Sequence, residues 1–107
     1  MKRSLIAKYS YYLAASRSDN NAIVFLYDNG ASLIAKVEFI PDTEPVPPAV
    51  ETDGKYVLYY PRAALPEVID LLRNESPVYV TWVDSANATL STGYEPVGEG
   101  ERTLVMP

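Results

Sequence analysis

Residues 22–40 read Ala22-Ile23-Val24-Phe25-Leu26-Tyr27, then Asp28-Asn29-Gly30-Ala31, then Ser32-Leu33-Ile34-Ala35-Lys36-Val37-Glu38-Phe39-Ile40. Two apolar runs flank an Asn-Gly pair, the strongest short-range hairpin signal, because both central residues of a type I′ turn need positive φ. A two-residue loop at Asn29-Gly30 sets Leu26 opposite Leu33, Val24 opposite Ala35 and Ala22 opposite Val37. Phe25 then meets Ile34 and Ile23 meets Lys36 on the other side. This hairpin is the expected nucleus of a sheet.

Upstream, residues 4–16 alternate. Leu5, Ala7, Tyr9, Tyr11, Leu13 and Ala15 fall on one face, and Ile6, Lys8, Ser10, Tyr12, Ala14 and Ser16 on the other. Period two over a dozen residues predicts one long strand. Arg17 to Asn20 or Asn21 is turn chemistry, so this strand should pair antiparallel with residues 22–27. A four-residue loop aligns Leu13 with Val24 and Tyr11 with Leu26 and is preferred, because it keeps the aliphatic sets together; a five-residue loop is the alternative. One residue of slip would exchange the faces.

Downstream, residues 41–54 hold Pro41, Pro45, Pro47 and Pro48 among Asp42, Glu44, Glu51 and Asp53. Proline removes ladder donors, so a long acidic surface loop is expected, chiefly a solvated connection. Asp53-Gly54 opens a strand over 55–60. Ala64, Leu65, Val68, Leu71 and Leu72 recur at helical spacing, with Pro66 tolerated in a first turn. The helix should begin near Pro61 or Arg62 and stop near Asn74. Residues 77–84 and 88–94 read as two further strands. Residues 95–107 are expected to form a flexible acidic tail in which Thr103 to Met106 either add a short edge strand or fray. The expected fold is one α+β domain, residues 1–107: a mostly antiparallel sheet of about six strands, order ββββαββ, with one amphipathic helix packed on one face.

Composition narrows the chemistry. The chain has 107 residues, no cysteine and no histidine, which removes thiolate nucleophiles, disulfides, the commonest general base and the commonest transition-metal ligand. No glycine opens a helix, so no phosphate-binding loop is expected. The pairs Asp42/Glu44, Glu51/Asp53 and Glu99/Glu101 read as solvated acids rather than a metal cage. No catalytic residues, metal site or cofactor are expected, and the balance leans away from an enzyme. Net charge is −5, against binding a phosphate backbone, yet residues 1–40 carry five basic and three acidic groups while residues 41–107 carry four and eleven. No window approaches the roughly 18 apolar residues of a membrane span. Lys8 and the tyrosines after it break the signal-like start, and a cytoplasmic location is expected.

The oddity is nine tyrosines. Leu5, Ala7, Tyr9, Tyr11, Leu13, Val24, Leu26, Leu33, Val37 and Phe39 make the expected core face, which the helix covers. The opposite face, with Lys8, Ser10, Tyr12, Ile23, Phe25, Tyr27, Ile34 and Lys36, is too apolar to stand bare in water. Three expectations follow, in order: a second copy packs on it, giving a homodimer; later strands of the same chain fold over it; or it binds single-stranded nucleic acid by ring stacking between cations. The candidate binding residues are Lys8, Tyr12, Phe25, Tyr27, Ile34 and Lys36. The first expectation makes the protein a small non-catalytic interaction or accessory protein.

The order of four strands and then a helix resembles the ββββα unit of the plant Whirly and single-stranded-DNA-binding coactivator folds. That resemblance is one of topology alone, carried by no motif residue. It implies assembly through helices and a sheet presented to nucleic acid, and the strands after the helix depart from it.

Overall fold

The computed structural model describes residues 1–13 and 22–93. The expected turn at 17–21, the tail at 95–107 and the short strand at Thr103–Met106 lie outside them.

The hairpin forms between β3 (Ala22–Tyr27) and β4 (Leu33–Ile40), but not through a type I′ turn. The Ala31 N–H donates to the Asp28 carbonyl at 3.0 Å and the Asp28 N–H to the Ser32 carbonyl at 2.9 Å. Ala31, not Asn29 or Gly30, takes positive φ, at 66°. This is a three-residue loop in which a left-handed residue follows the turn. Asp28 fixes it by accepting from the Gly30 and Ser32 N–H groups at 2.9 Å each. The longer loop moves the register by one, setting Tyr27 opposite Leu33, and a bulge between Leu26 and Tyr27 adds a second residue, giving Leu26 opposite Ala35 and Val24 opposite Val37.

The expected long first strand is two strands. β1 (Lys2–Ile6) pairs with β7 (Val78–Asp84), whereas β2 (Lys8–Leu13) pairs with β3. The Ala7 N–H reaches the Tyr27 carbonyl at 2.8 Å where the chain crosses between them. The crossing inverts the alternation: Ile6 and Tyr9 both pack on the core, while Leu5 is 53% exposed and Ala7 is exposed. β2 pairs Tyr11 with Val24 and Leu13 with Ala22. That is two residues from the preferred register but on the same faces, and the five-residue alternative is not found. Tyr11 and Leu13, expected in the core, are exposed at this sheet edge.

The 41–54 segment is also more structured than expected. β5 (Val50–Thr52) pairs antiparallel with β6 (Lys55–Pro61), joined by Asp53 (φ 54°) and Gly54 (φ 78°). This is the type I′ pair, one hairpin later than expected. β6 inserts between β5 and β4 and runs parallel to β4. Parallel neighbours need a long crossover, and the proline-rich stretch supplies the return path.

A 3₁₀ turn at Arg62–Ala64 leads into α1 (Leu65–Asn74), with Pro66 in its first turn as expected. β7 and β8 (Asn87–Thr92) follow. Among the described residues there are thus eight strands in two sheets, β1-β7-β8 and β2-β3-β4-β6-β5, rather than six in one. The α+β class stands. Six strands precede the helix, so the four-strand-and-helix order that resembled the Whirly unit is not present.

The helix and the small sheet lie on the same face of the five-stranded sheet. Val24, Leu26, Val37, Phe39, Tyr56 and Leu58 from the large sheet meet Leu65 and Val68 of α1 and Val80 of β7. Tyr56 stacks on Trp82 with ring centroids 5.2 Å apart, and Phe39 on Tyr60 at 6.3 Å. No polar side chain is buried among the described residues.

Candidate functional site

The other face of the five-stranded sheet, the outer face, is the candidate site. Register places its residues in two rows across the strands. One row runs Ser10, Phe25, Lys36, Val57 and Val50; the next runs Tyr12, Ile23, Glu38 and Tyr59. Lys8 and Tyr27 pair at one end, and the bulge brings Leu33 opposite Tyr27. These strands are apolar on both faces because each is covered on one side and bears aromatic and aliphatic groups on the other, so the outer face cannot come from a simple inside–outside alternation.

Lys8, Tyr12, Phe25, Tyr27 and Lys36 share this face, as expected. Ile34 does not: the bulge turns it toward the core, against which it packs, while Leu33, expected in the core, lines an outer hollow of about 380 Å³ with Phe25, Lys36 and Val57. Glu38, Val57 and Tyr59 belong to the surface and were not among the candidates. The unbroken apolar run Tyr56-Val57-Leu58-Tyr59-Tyr60 was the available signal for the latter two, since a strand rich in apolar residues at every position has two apolar faces.

The face is partly ordered by its own contacts. The Tyr12 and Phe25 rings meet edge to face, centroids 5.4 Å apart at 74°, a diagonal cross-strand pair. The Ser10 and Tyr27 hydroxyls share a 3.1 Å hydrogen bond. Lys36 Nζ lies 3.0 Å from Glu38 Oε2, with the side chains 38% and 19% exposed. Lys36 therefore does not stand as a lone cation. Tyr12 is 62% exposed, and Ile23, Phe25, Tyr27, Leu33, Val57 and Tyr59 are each half-buried by their neighbours alone. β7 and β8 pack on the core face with α1, so the expectation that later strands cover the outer face is not met among the described residues.

Elsewhere the acids serve the main chain. Asp42 Oδ1 accepts from the Ala63 N–H at 2.9 Å, Glu51 Oε2 from the Gly54 N–H at 2.8 Å, and Asp84 Oδ1 from the Ala86 N–H at 2.9 Å. No group of three or more possible metal ligands occurs among the described residues. An open cleft of about 280 Å³ lies between Val46–Ala49 and the Ser85–Ala86 turn, floored by Leu58 and Tyr60. Burial pushes the Tyr60 phenol above its ordinary range, and a hydrogen bond with the Leu90 backbone offsets this only in part. That is the direction opposite to an activated phenolate. No described helix is long and apolar enough to cross a membrane.

The chain matches no protein-family model, no curated protein and no solved structure.

Proposed function

We propose that this chain is a non-catalytic interaction domain that self-associates as a dimer through the outer face. One observation carries the reading: α1 and the small sheet both cover the same side of the five-stranded sheet, leaving the aromatic and aliphatic rows of the other side uncovered among the described residues. A contiguous apolar surface of this kind marks a contact site. Its size is adequate. Five strands about 4.8 Å apart and roughly 20 Å long give on the order of 500 Å² per copy in projection, so two copies reach about 1,000 Å², the lower bound for a specific interface.

Phe25 stands on the second of the five strands, touching Tyr12 and flanked by Ser10 and Lys36. Phe25→Asp places a charge there without entering the core. The variant should remain folded and become monomeric in light scattering; a Phe25→Asp protein that stays dimeric contradicts the reading.

A second reading is single-stranded nucleic-acid binding. It is supported by Lys8, Lys36 and Lys55 standing on this face beside the exposed Tyr12 ring. The Lys36–Glu38 pair and a net charge of −5 weigh against it. It predicts binding to mixed-sequence oligonucleotides that falls steeply with salt and is lost on combining Tyr12→Ala with Tyr27→Ala; no binding at low salt removes it.

A further inference from the structure

The hollow of about 380 Å³ lies at one corner of the outer face, beside the β5–β6 turn. Its walls are apolar: Phe25 on β3, Leu33 on β4 and Val57 on β6. Lys36 also lines it, but its ammonium is held by Glu38 at 3.0 Å, so it adds a methylene stem rather than a free cation. An apolar cavity of about 150 Å³ holds a benzene ring, so this one has room for two rings.

The rim is polar. Counting by twos from the paired Val50 and Val57, Thr52 and Lys55 stand on the outer face, directly opposite each other. Both line the hollow and both are exposed. Among the described residues, Lys55 has no ion pair and the Thr52 hydroxyl no hydrogen bond. Opposite positions on antiparallel strands bring Cβ atoms within about 5.5 Å. The ammonium and the hydroxyl can therefore donate to the two oxygens of one carboxylate. Asp53, in the turn between them, lines the same hollow and limits the charge it accepts. Lys55 answers one negative charge, whereas a second would face Asp53.

We propose that this hollow binds a small monocarboxylic acid with an apolar body, the body against Phe25, Leu33 and Val57 and the carboxylate on Lys55 and Thr52. A neutral ligand leaves both donors unanswered, and a small hydrophilic acid leaves the apolar walls wet. The rim lies on edge strand β5 and its turn, at the border of the sheet. An acid can enter from that side with or without a second copy on the face, so the proposal goes beyond the dimer reading and does not rest on it.

The test titrates the full, isotope-labelled chain with naphthoate, a two-ring monocarboxylate, and follows amide and methyl NMR shifts. Naphthalenemethanol, the uncharged counterpart, and acetate, which lacks the apolar body, are titrated in parallel. Naphthoate should give saturable shifts centred on Phe25, Leu33, Thr52, Lys55 and Val57. It should bind at least about tenfold tighter than the alcohol, and acetate should shift none of them. Lys55→Met keeps an apolar stem and removes the charge; it should weaken naphthoate about tenfold and leave the alcohol unchanged. Val57→Phe fills the hollow and should weaken both. Thr52→Val carries the comparison of acid with alcohol if Lys55→Met misfolds by circular dichroism. The proposal is overturned by naphthoate shifts that do not saturate or centre elsewhere, by an alcohol that binds as tightly, or by a folded Lys55→Met chain that binds naphthoate as the unaltered one does. Light scattering on the same samples separates this from the dimer reading. A monomer that binds naphthoate at the hollow overturns only the dimer, and a dimer that does not bind it overturns only this site.

Discussion

At Ala31 the main chain holds φ at 66°, a conformation that costs a residue bearing a Cβ about 1 kcal/mol relative to glycine. The glycine beside it has no such need. Gly30 lies outside the left-handed region, and a Cβ there would meet Asp28 Oδ1 at an ordinary 3.5 Å. Ala31→Gly should therefore stabilise the protein by about 0.5–1 kcal/mol, and Gly30→Ala should change stability by less than about 1 kcal/mol. Urea denaturation of the two variants checks both, and a large loss for Gly30→Ala would restore the type I′ turn. The Asn-Gly pair signalled a hairpin correctly and its geometry wrongly, because Asp28 offers both its carbonyl and its carboxylate to the turn and so fixes a longer loop. The same one-residue difference decides Leu33 and Ile34. A bulge exchanges their faces, and no alternation rule announces a bulge.

Among the elements, those with a period of their own were legible: β3, β4, β6, β7, β8 and the helix stand where hydrophobic pattern put them. Partner choice was not. Residues 2–13 alternate almost without a break, and only the three-dimensional crossing at Ala7 divides them between two sheets. β5 is three residues long and all three are exposed, too little pattern to read, yet it makes β6 the parallel neighbour of β4. The proline-rich crossover does structural work at one named atom. Asp42 accepts from the Ala63 N–H at the start of the helical segment, where main-chain donors have no partner of their own. Asp42→Ala should cost about 1 kcal/mol, within the range of lost helix caps, measurable as a lowered urea midpoint with an unchanged slope. No change on Asp42→Ala would mean that water replaces the carboxylate at no cost.

For the whole molecule, the surplus apolar face was visible from the strand pattern because Ile23, Phe25 and Tyr27 alternate with Val24 and Leu26 in one strand. What covers which face was not visible. The helix stripe shows only that α1 must lie on something, and nothing in residues 77–92 says that β7 and β8 join it on the same side rather than closing over the other. Glu38 entered the surface only with β4's neighbours in place, and with it the charge pair that gives the face a polarity along β4. The account's central claim is that this face is covered by a second copy of the chain. Light scattering coupled to size-exclusion chromatography, at low and high salt, measures it directly. The account predicts twice the chain mass of 11.8 kDa at both salt concentrations, since apolar rows supply most of the contact and the buried charges are little screened. A molar mass of one chain at the highest concentration examined would contradict it.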